Sequence, residues 1–261
     1  MSDRPLSGLM SRQEGPMLTV IVPTFNNPDQ LRHMLNTFLE QTGNDHGEYF
    51  KIYVVDNSEQ KGLLRNHLSP HKLYEILEPG ENLGWEGGLD YALKNTPRTP
   101  LVMFANDDLH FVPGDPNWLW KMVTTLAEHK DVAAVGPMSN FVMGYQNFQS
   151  GLSPSAPLST NLLIGFCVLM KRDALDDIGG ITLGLPGGDD FDYSLRFLAK
   201  GYKMAIQTNS YVHHHGCQTG NRVHPGWWNS NDMIAEVRDE LIRRHGFVNY
   251  FQTLAFTPTP L

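Results

Sequence analysis

Short apolar runs alternate with stretches of helical periodicity along the first half of the chain. Residues 18–23, Leu-Thr-Val-Ile-Val-Pro, read as a buried strand. Asn27, Pro28 and Asp29 then open a helix carrying Leu31, Met34, Leu35, Phe38 and Leu39 on one face. Further strands are expected at 50–55, 73–77, 101–105 and 132–135, with helices at 87–94 and 118–128 between them. This β-α-β-α rhythm predicts a doubly wound, mostly parallel α/β sheet. Such sheets bind ligands at the carboxyl ends of their strands, which draws attention to the residues just after each apolar run.

The second half is less regular. Residues 144–160, rich in Ser, Gly, Gln and Pro, read as a long loop, and 161–170 as a buried strand. A short helix at 172–178, a Gly/Pro turn region at 179–188 and a helix at 190–200 follow. Two short strands are expected at 202–206 and 210–213, and a helix over 232–245. The organisation expected is a loose N-terminal tail (1–16), a regular first half (17–135), a second half of the same domain (136–220) and a C-terminal helical extension (221–261).

Composition narrows the class. The chain has 261 residues, 41% hydrophobic and 18% charged, as expected of a globular fold. Its longest apolar run, 162–170, is too short to span a bilayer, and the N-terminus lacks a signal-peptide core, so a soluble, cytoplasmic protein is expected, peripheral to a membrane if its acceptor is lipid-linked. Two cysteines, Cys167 and Cys217, do not make a disulfide framework and suit a reducing compartment. A net charge of −8 argues against a duplex nucleic-acid partner but is compatible with a small anionic substrate, because one metal ion inverts a local field.

Candidate chemistry clusters after the strands. Asp56 follows the second strand; a carboxylate there can accept from a pyrimidine N–H or a ribose hydroxyl, or simply cap a turn. Asn106, Asp107 and Asp108 follow the apolar 101–105 run, where adjacent acids repel one another unless a cation is held. Gly187 and Gly188 precede Asp189, Asp190 and Asp192. Asp189 reads as a helix N-cap, Asp192 as a partner for Arg196, and Asp190 as a general base able to take a proton from a hydroxyl. In His213-His214-His215, strand alternation sets His214 opposite the other two, and one neutral imidazole can complete a metal shell begun at Asp108. The turn carrying Asn82, Gly84 and Trp85 is not a dinucleotide fingerprint, though its glycines let backbone approach a ligand. Trp227 and Trp228 with nearby amides suit a sugar platform or a packed interface. Arg238, Arg243, Arg244 and His245 form either a basic face or a solvated helix end.

Taken in order, these motifs resemble the family 2 glycosyltransferases, inverting enzymes of the GT-A fold, from about residue 18 to residue 219. The resemblance implies that Pro23, Thr24, Asn26, Asp56, Asn82, Gly84, Trp85, Asn106 and Asp107 face the donor nucleotide. It implies Asp108 and His214 as ligands of Mn²⁺ or Mg²⁺, Asp190 as catalytic base, and Asp189 near the acceptor; Trp227 and Trp228, beyond the resemblance, are acceptor-site candidates on their residue types alone. The chain departs from the pattern at Asn106, where the metal motif usually starts with Asp, at Asp189, where Glu is commoner, and at Ser58-Glu59. The expected activity is transfer of a sugar from a UDP- or dTDP-linked donor to a hydroxyl of a glycan, a lipid-linked glycan or another acceptor, including a hydroxylated nucleic-acid base. Rival readings are a nucleotidyltransferase or nucleotide-sugar hydrolase, a non-catalytic carbohydrate-binding module, and a zinc hydrolase built on the histidines. Donor sugar, acceptor and oligomeric state are not legible in the sequence.

Overall fold

A computed structural model describes residues 15–42, 49–152, 155–216, 225–226 and 230–261. Its centre is a nine-stranded sheet. In chain order the strands are β1 (Leu18–Thr24), β2 (Phe50–Asp56), β3 (Tyr74–Leu77), β4 (Leu101–Ala105), β6 (Val132–Met138), β7 (Leu158–Thr160), β8 (Cys167–Lys171), β9 (Lys203–Tyr211) and β11 (Thr259–Pro260). A separate ribbon pairs β5 (Leu109–His110) with β10 (His213–His214). The sheet order is β11-β7-β9-β6-β8-β4-β1-β2-β3. Strands β1 to β4 are mutually parallel, and β6 and β9 share their direction. Only β7 and β8 run against the rest, so the sheet is mixed and mostly parallel.

The helices are α1 (Pro28–Thr42), α2 (Leu63–His67), α3 (Gly84–Asn95), α4 (Trp118–Glu128), α5 (Arg172–Asp177), α6 (Asp189–Ala199), α7 (Asn231–His245) and α8 (Phe247–Ala255). Because β1, β4 and β6 are buried along their whole length, they read as continuous apolar runs rather than alternating ones. One core cluster packs α1 and α4 on one face of the sheet, centred on Phe38, Phe50, Phe111 and Trp118; Phe38 meets the other three rings edge-on at 5.0–5.6 Å. The other face packs α3, α5 and α6 through Leu89, Leu175, Tyr193 and Phe197.

The second half departs from several expectations. Residues 161–166 are not strand. Their backbone is satisfied by side chains: Ile164 N donates to Gln146 Oε1 (2.7 Å), Leu163 N to Ser194 Oγ (3.4 Å) and Gly165 N to Asp190 Oδ2 (3.3 Å). Strand pairing therefore begins only at Cys167. Residues 203–211 form one strand instead of two, because the polar stretch near Thr208 is absorbed as an irregularity opposite Pro137 and Met138. The 144–160 loop ends in β7, which β11 covers. The helix expected at 87–94 starts earlier, at Gly84.

The basic face expected on the C-terminal helix is neutralised. Arg243 and Arg244 both bond Glu240, Arg238 bonds Asp239, and His245 turns inward to Asp192. Among the described residues no helix is long and apolar enough to cross a membrane.

Candidate active site

The parallel strands deliver Asp56, Asp107 and Asp108 to one rim of the sheet, as their positions after β2 and β4 require. At the end of β1, Thr24 Oγ1 donates to Asp107 Oδ2 at 2.5 Å, joining two strand ends. Asn26, the sole non-glycine with positive φ among the described residues (51°), is pinned by the turn after β2. Its N–H donates to Ser58 Oγ (3.0 Å), and its side chain exchanges bonds with Glu59. Ser58 N in turn donates to Asp56 Oδ1 at 3.0 Å. Ser58 and Glu59, where the sequence departs from its family's pattern, thus lock the β1 loop to the β2 loop. Asn57, 3% exposed, reaches the other way: its Nδ2 donates to Gly84 O (2.9 Å) and its Oδ1 accepts from Leu83 N. Asn82 Oδ1 accepts from Gly84 N, closing the turn from which α3 starts.

Asp108 and His214 meet across the β5–β10 ribbon, although 100 and more residues separate them along the chain. Both are buried, at 4% and 7% exposure. His214 Nδ1 lies 2.8 Å from Phe141 O, which can only accept, so Nδ1 carries a proton and Nε2 is the nitrogen left to accept or to bind a cation. That nitrogen accepts from Asn106 Nδ2 (3.1 Å) and lies 3.1 Å from Asp108 Oδ1. Asp108 Oδ1 itself is buried and receives no hydrogen bond. A lone pair faces a carboxylate oxygen, an arrangement that only a proton or a cation between them relieves. An imidazole whose far nitrogen is fixed by a backbone carbonyl is also how metal-bound histidines are oriented. The pair therefore fits a divalent cation. Among the described residues no three His, Cys, Asp or Glu side chains are set to enclose an ion. Of the three adjacent histidines, His213 packs on His110 and His215 instead.

A second centre lies at the start of α6, linked to this rim through Gly165, whose N–H donates to Asp190, and Phe166, whose carbonyl accepts from Asn106 N. Gly188, at φ 73°, is the residue before α6 and puts Asp189 and Asp190 in its first turn. Asp189 is not the N-cap expected: Gly188 holds that position, and Asp189 Oδ2 instead accepts from Trp85 Nε1 at 2.9 Å. Trp85 is thereby the bridge from the Asn82–Gly84 turn to the α6 acids. Asp190 accepts from Phe191 N and Gly165 N. Burial, and then the neighbouring Asp189, push Asp190 up to about 7. Burial also raises Asp189, against the opposing Trp85 bond. Glu86, which the sequence did not single out, joins them; burial and Asp189 raise it to about 7. Three carboxyl groups thus lie close together beside one indole donor, and their mutual repulsion favours protonation.

Trp227 and Trp228 lie outside the described residues. Gly165, Glu86, Asn57 and Ser58 were missed as contributors because each acts through backbone or through a contact across the fold.

A mixed, mostly parallel sheet with strand-end acids on one rim and an acid-bearing helix beside it is the layout of a GT-A glycosyltransferase. The description "Glycosyl transferase family 2" matches residues 19–179, and the chain belongs to that family. It is similar to Rv1525 of Mycobacterium tuberculosis, 28% identical over 251 residues covering 88% of this chain and 86% of that protein. It is 24% identical over 234 residues to the O-antigen biosynthesis protein RfbC of Myxococcus xanthus, which covers 77% of this chain, although the chain spans only 17% of RfbC. Among solved structures, a mannosyltransferase of Pyrobaculum calidifontis in complex with GDP-Man and Mn²⁺ superposes with a TM-score of 0.65 at 21% identity, covering 88% of this chain and 65% of its own. S. aureus TarS in complex with UDP-GlcNAc superposes at 0.63 with 17% identity, covering 91% and 70%. These structures share the fold. The family match ends before Asp189, Asp190 and His214, so their grouping rests on this chain's own geometry.

Proposed function

We propose that the protein transfers a sugar from a nucleoside diphosphate, UDP or dTDP, to an acceptor hydroxyl with inversion, using Asp190 as base. The observation that carries this reading is the pairing of two half-sites. Asp108 and His214 present an unrelieved lone-pair contact on one side, and Asp190, raised to about 7, stands on the other. The pyrimidine base would lie at the β1–β2 rim. Asp56 already uses Oδ1 for Ser58 N, leaving its second oxygen to accept from a base N–H or ribose hydroxyl. Pro23, Thr24 and the locked Asn26 turn would form the floor, and the Asn82–Trp85 turn would close over the diphosphate side.

Asp108 and His214 would hold Mn²⁺, or Mg²⁺, with the donor diphosphate completing the shell. Bound there, the ion would neutralise negative charge on the departing diphosphate. Asp190 takes the proton from the attacking hydroxyl, for which a basicity near the working pH is suited. Its raised value requires the low-dielectric pocket and the adjacent Asp189. The Trp85 N–H holds Asp189, while Asp190, held only by the N–H groups of Phe191 and Gly165, keeps lone pairs for the acceptor hydroxyl. The acceptor would be a glycan or lipid-linked glycan; the neutralised arginines of α7 offer nothing for a nucleic-acid backbone.

The test is thermal melting with UDP, dTDP and GDP, each with and without Mn²⁺. A ligand at 100 times its Kd adds about 2.7 kcal/mol. Stabilisation by UDP or dTDP that needs Mn²⁺ and disappears in Asp108→Ala supports the donor site. Stabilisation equal in the variant, or by no nucleotide, refutes it.

A further inference from the structure

Gly187–Asp192 is gripped from behind by the C-terminal helices at three points. Methyl groups of α7 sit where side chains on the glycines would be: a Cβ on Gly188 would lie 2.7 Å from Val237 Cγ1 and 3.2 Å from Leu241 Cδ1, and one on Gly187 3.1 Å from Met233 Cε. The ring of Phe191 stacks on Tyr250 of α8 at 5.9 Å. His245, the last residue of α7, places Nε2 2.8 Å from Asp192 Oδ1. Asp192 is 2% exposed, and its other oxygen accepts from Thr182 Oγ1 (2.7 Å) and from Arg196 Nε (2.8 Å). Arg196 also donates to the carbonyls of Ile178 and Gly180, so the network ties the loop before α6 to α7.

From this geometry we infer that His245 is a positioning residue for the reaction: by holding Asp192 it fixes the first turn of α6, and with it the carboxyl of Asp190 two residues earlier. The inference rests on the reading of Asp190 as base. Its physical basis is that a buried carboxylate with three donors has a single well-defined position, whereas one missing a donor must seek another or draw in water. The Asp190 carboxyl is on the same helical turn, and misplacement of a catalytic group by about 1 Å costs on the order of 100-fold in rate. The groups facing His245 from α6 are Asp192 and, behind it, Arg196. From α7 the nearby charges, Arg243, Arg244 and Glu240, pair among themselves on the exposed side.

The experiment compares the wild-type protein with His245→Ala, His245→Gln, Tyr250→Ala and the surface control Arg65→Ala, an exposed residue of α2. Amide hydrogen exchange is followed with and without UDP plus Mn²⁺ as donor-site probe. Turnover is read with whichever sugar nucleotide the wild type consumes from a UDP-, dTDP- and GDP-sugar panel. His245→Ala is expected to speed exchange across 187–193 by about 10- to 100-fold, the counterpart of one lost charge-assisted hydrogen bond, with β1–β4 unchanged. Its kcat is expected to fall by about tenfold or more while donor KM stays within about twofold, and His245→Gln, which keeps a donor, is expected to recover both. Unchanged exchange at 187–193 in His245→Ala, or exchange raised evenly over the chain and not rescued by Gln, overturns the inference. If His245→Ala does not fold, Tyr250→Ala carries the same comparison: loosening confined to 187–193 with reduced kcat supports the brace, and unchanged exchange there overturns it. Near-normal turnover in Asp190→Asn would instead remove the base assignment, a result the exchange data do not depend on.

Discussion

Replacing Asp190 by asparagine is expected to cripple turnover and yet stabilise the fold, and the opposite signs are what make the test sharp. Burial and Asp189 raise this carboxyl from its ordinary 3.8 to about 7 in the folded chain. A raised folded value means that the folded state prefers the protonated group. Stability from this residue is therefore full below about pH 4, is lost as pH climbs to about 7, and stays lost above it. The difference corresponds to about 4 kcal/mol at pH 8 as an upper limit. Asparagine removes that cost but offers one acceptor where Asp190 receives two backbone N–H groups, from Phe191 and Gly165. One unsatisfied donor returns about 1–2 kcal/mol. A net gain of about 2 kcal/mol remains, roughly 4–8 °C in Tm for a chain of this size. Melting of both proteins between pH 5 and pH 9 should show the gap widening from about pH 5 to pH 7 and then levelling. Turnover at pH 8 should fall by about 10²–10⁴. A variant less stable than the wild type at pH 8, or one retaining turnover within about tenfold, would refute the reasoning.

Asp189→Asn removes the charge that helps raise Asp190, so the acidic limb of the kcat profile should move from about pH 7 toward lower pH, measured by rate against pH. Asp108→Asn and His214→Ala should each abolish the Mn²⁺-dependent part of the UDP melting shift while leaving the metal-free melting temperature within a few degrees, checked by calorimetry. Gly188→Ala should destabilise by about 1–3 kcal/mol in urea unfolding, since its φ of 73° disfavours a side chain and the new Cβ would meet Val237.

The parallel core was legible because buried parallel strands are written as unbroken apolar runs, each ended by a polar residue at the rim; Asp56 and Asp108 stand at or just after strand ends, as expected of such a sheet. Residues 161–166 misled for the same reason: Leu-Leu-Ile is as apolar as a strand, and nothing local shows that Gln146, Ser194 and Asp190 take its hydrogen bonds. Asp189 carried an N-cap signal that its own neighbour overrode, Gly188 being able to adopt the left-handed turn. Trp85 and Asp189 lie 104 residues apart, and no periodicity could announce their bond. His245 looked like a helix-end cation, and its partner on α6 is visible only once α7 is docked. The contribution of Ser58 and Glu59 was hidden because it consists of holding a neighbouring loop.

The place of β8 in the sheet bears on how the molecule comes together. This strand enters late in the chain and lies between β4 and β6, pairing antiparallel with both. Until it arrives, neither flank can close: β4 and β6 would each present a row of unpaired amides and carbonyls along an apolar strand, the kind of edge that recruits other chains. A fragment ending at residue 135 would therefore be sticky rather than a stable nucleotide-binding half. The joins that matter most for chemistry, such as the 108-residue span from Asn106 to His214, form only after that insertion. High sequence separation of this kind predicts slow folding limited by loop closure. It also means that the Asp108–His214 contact and the Trp85–Asp189 bond both wait on segments that follow β8 in the chain.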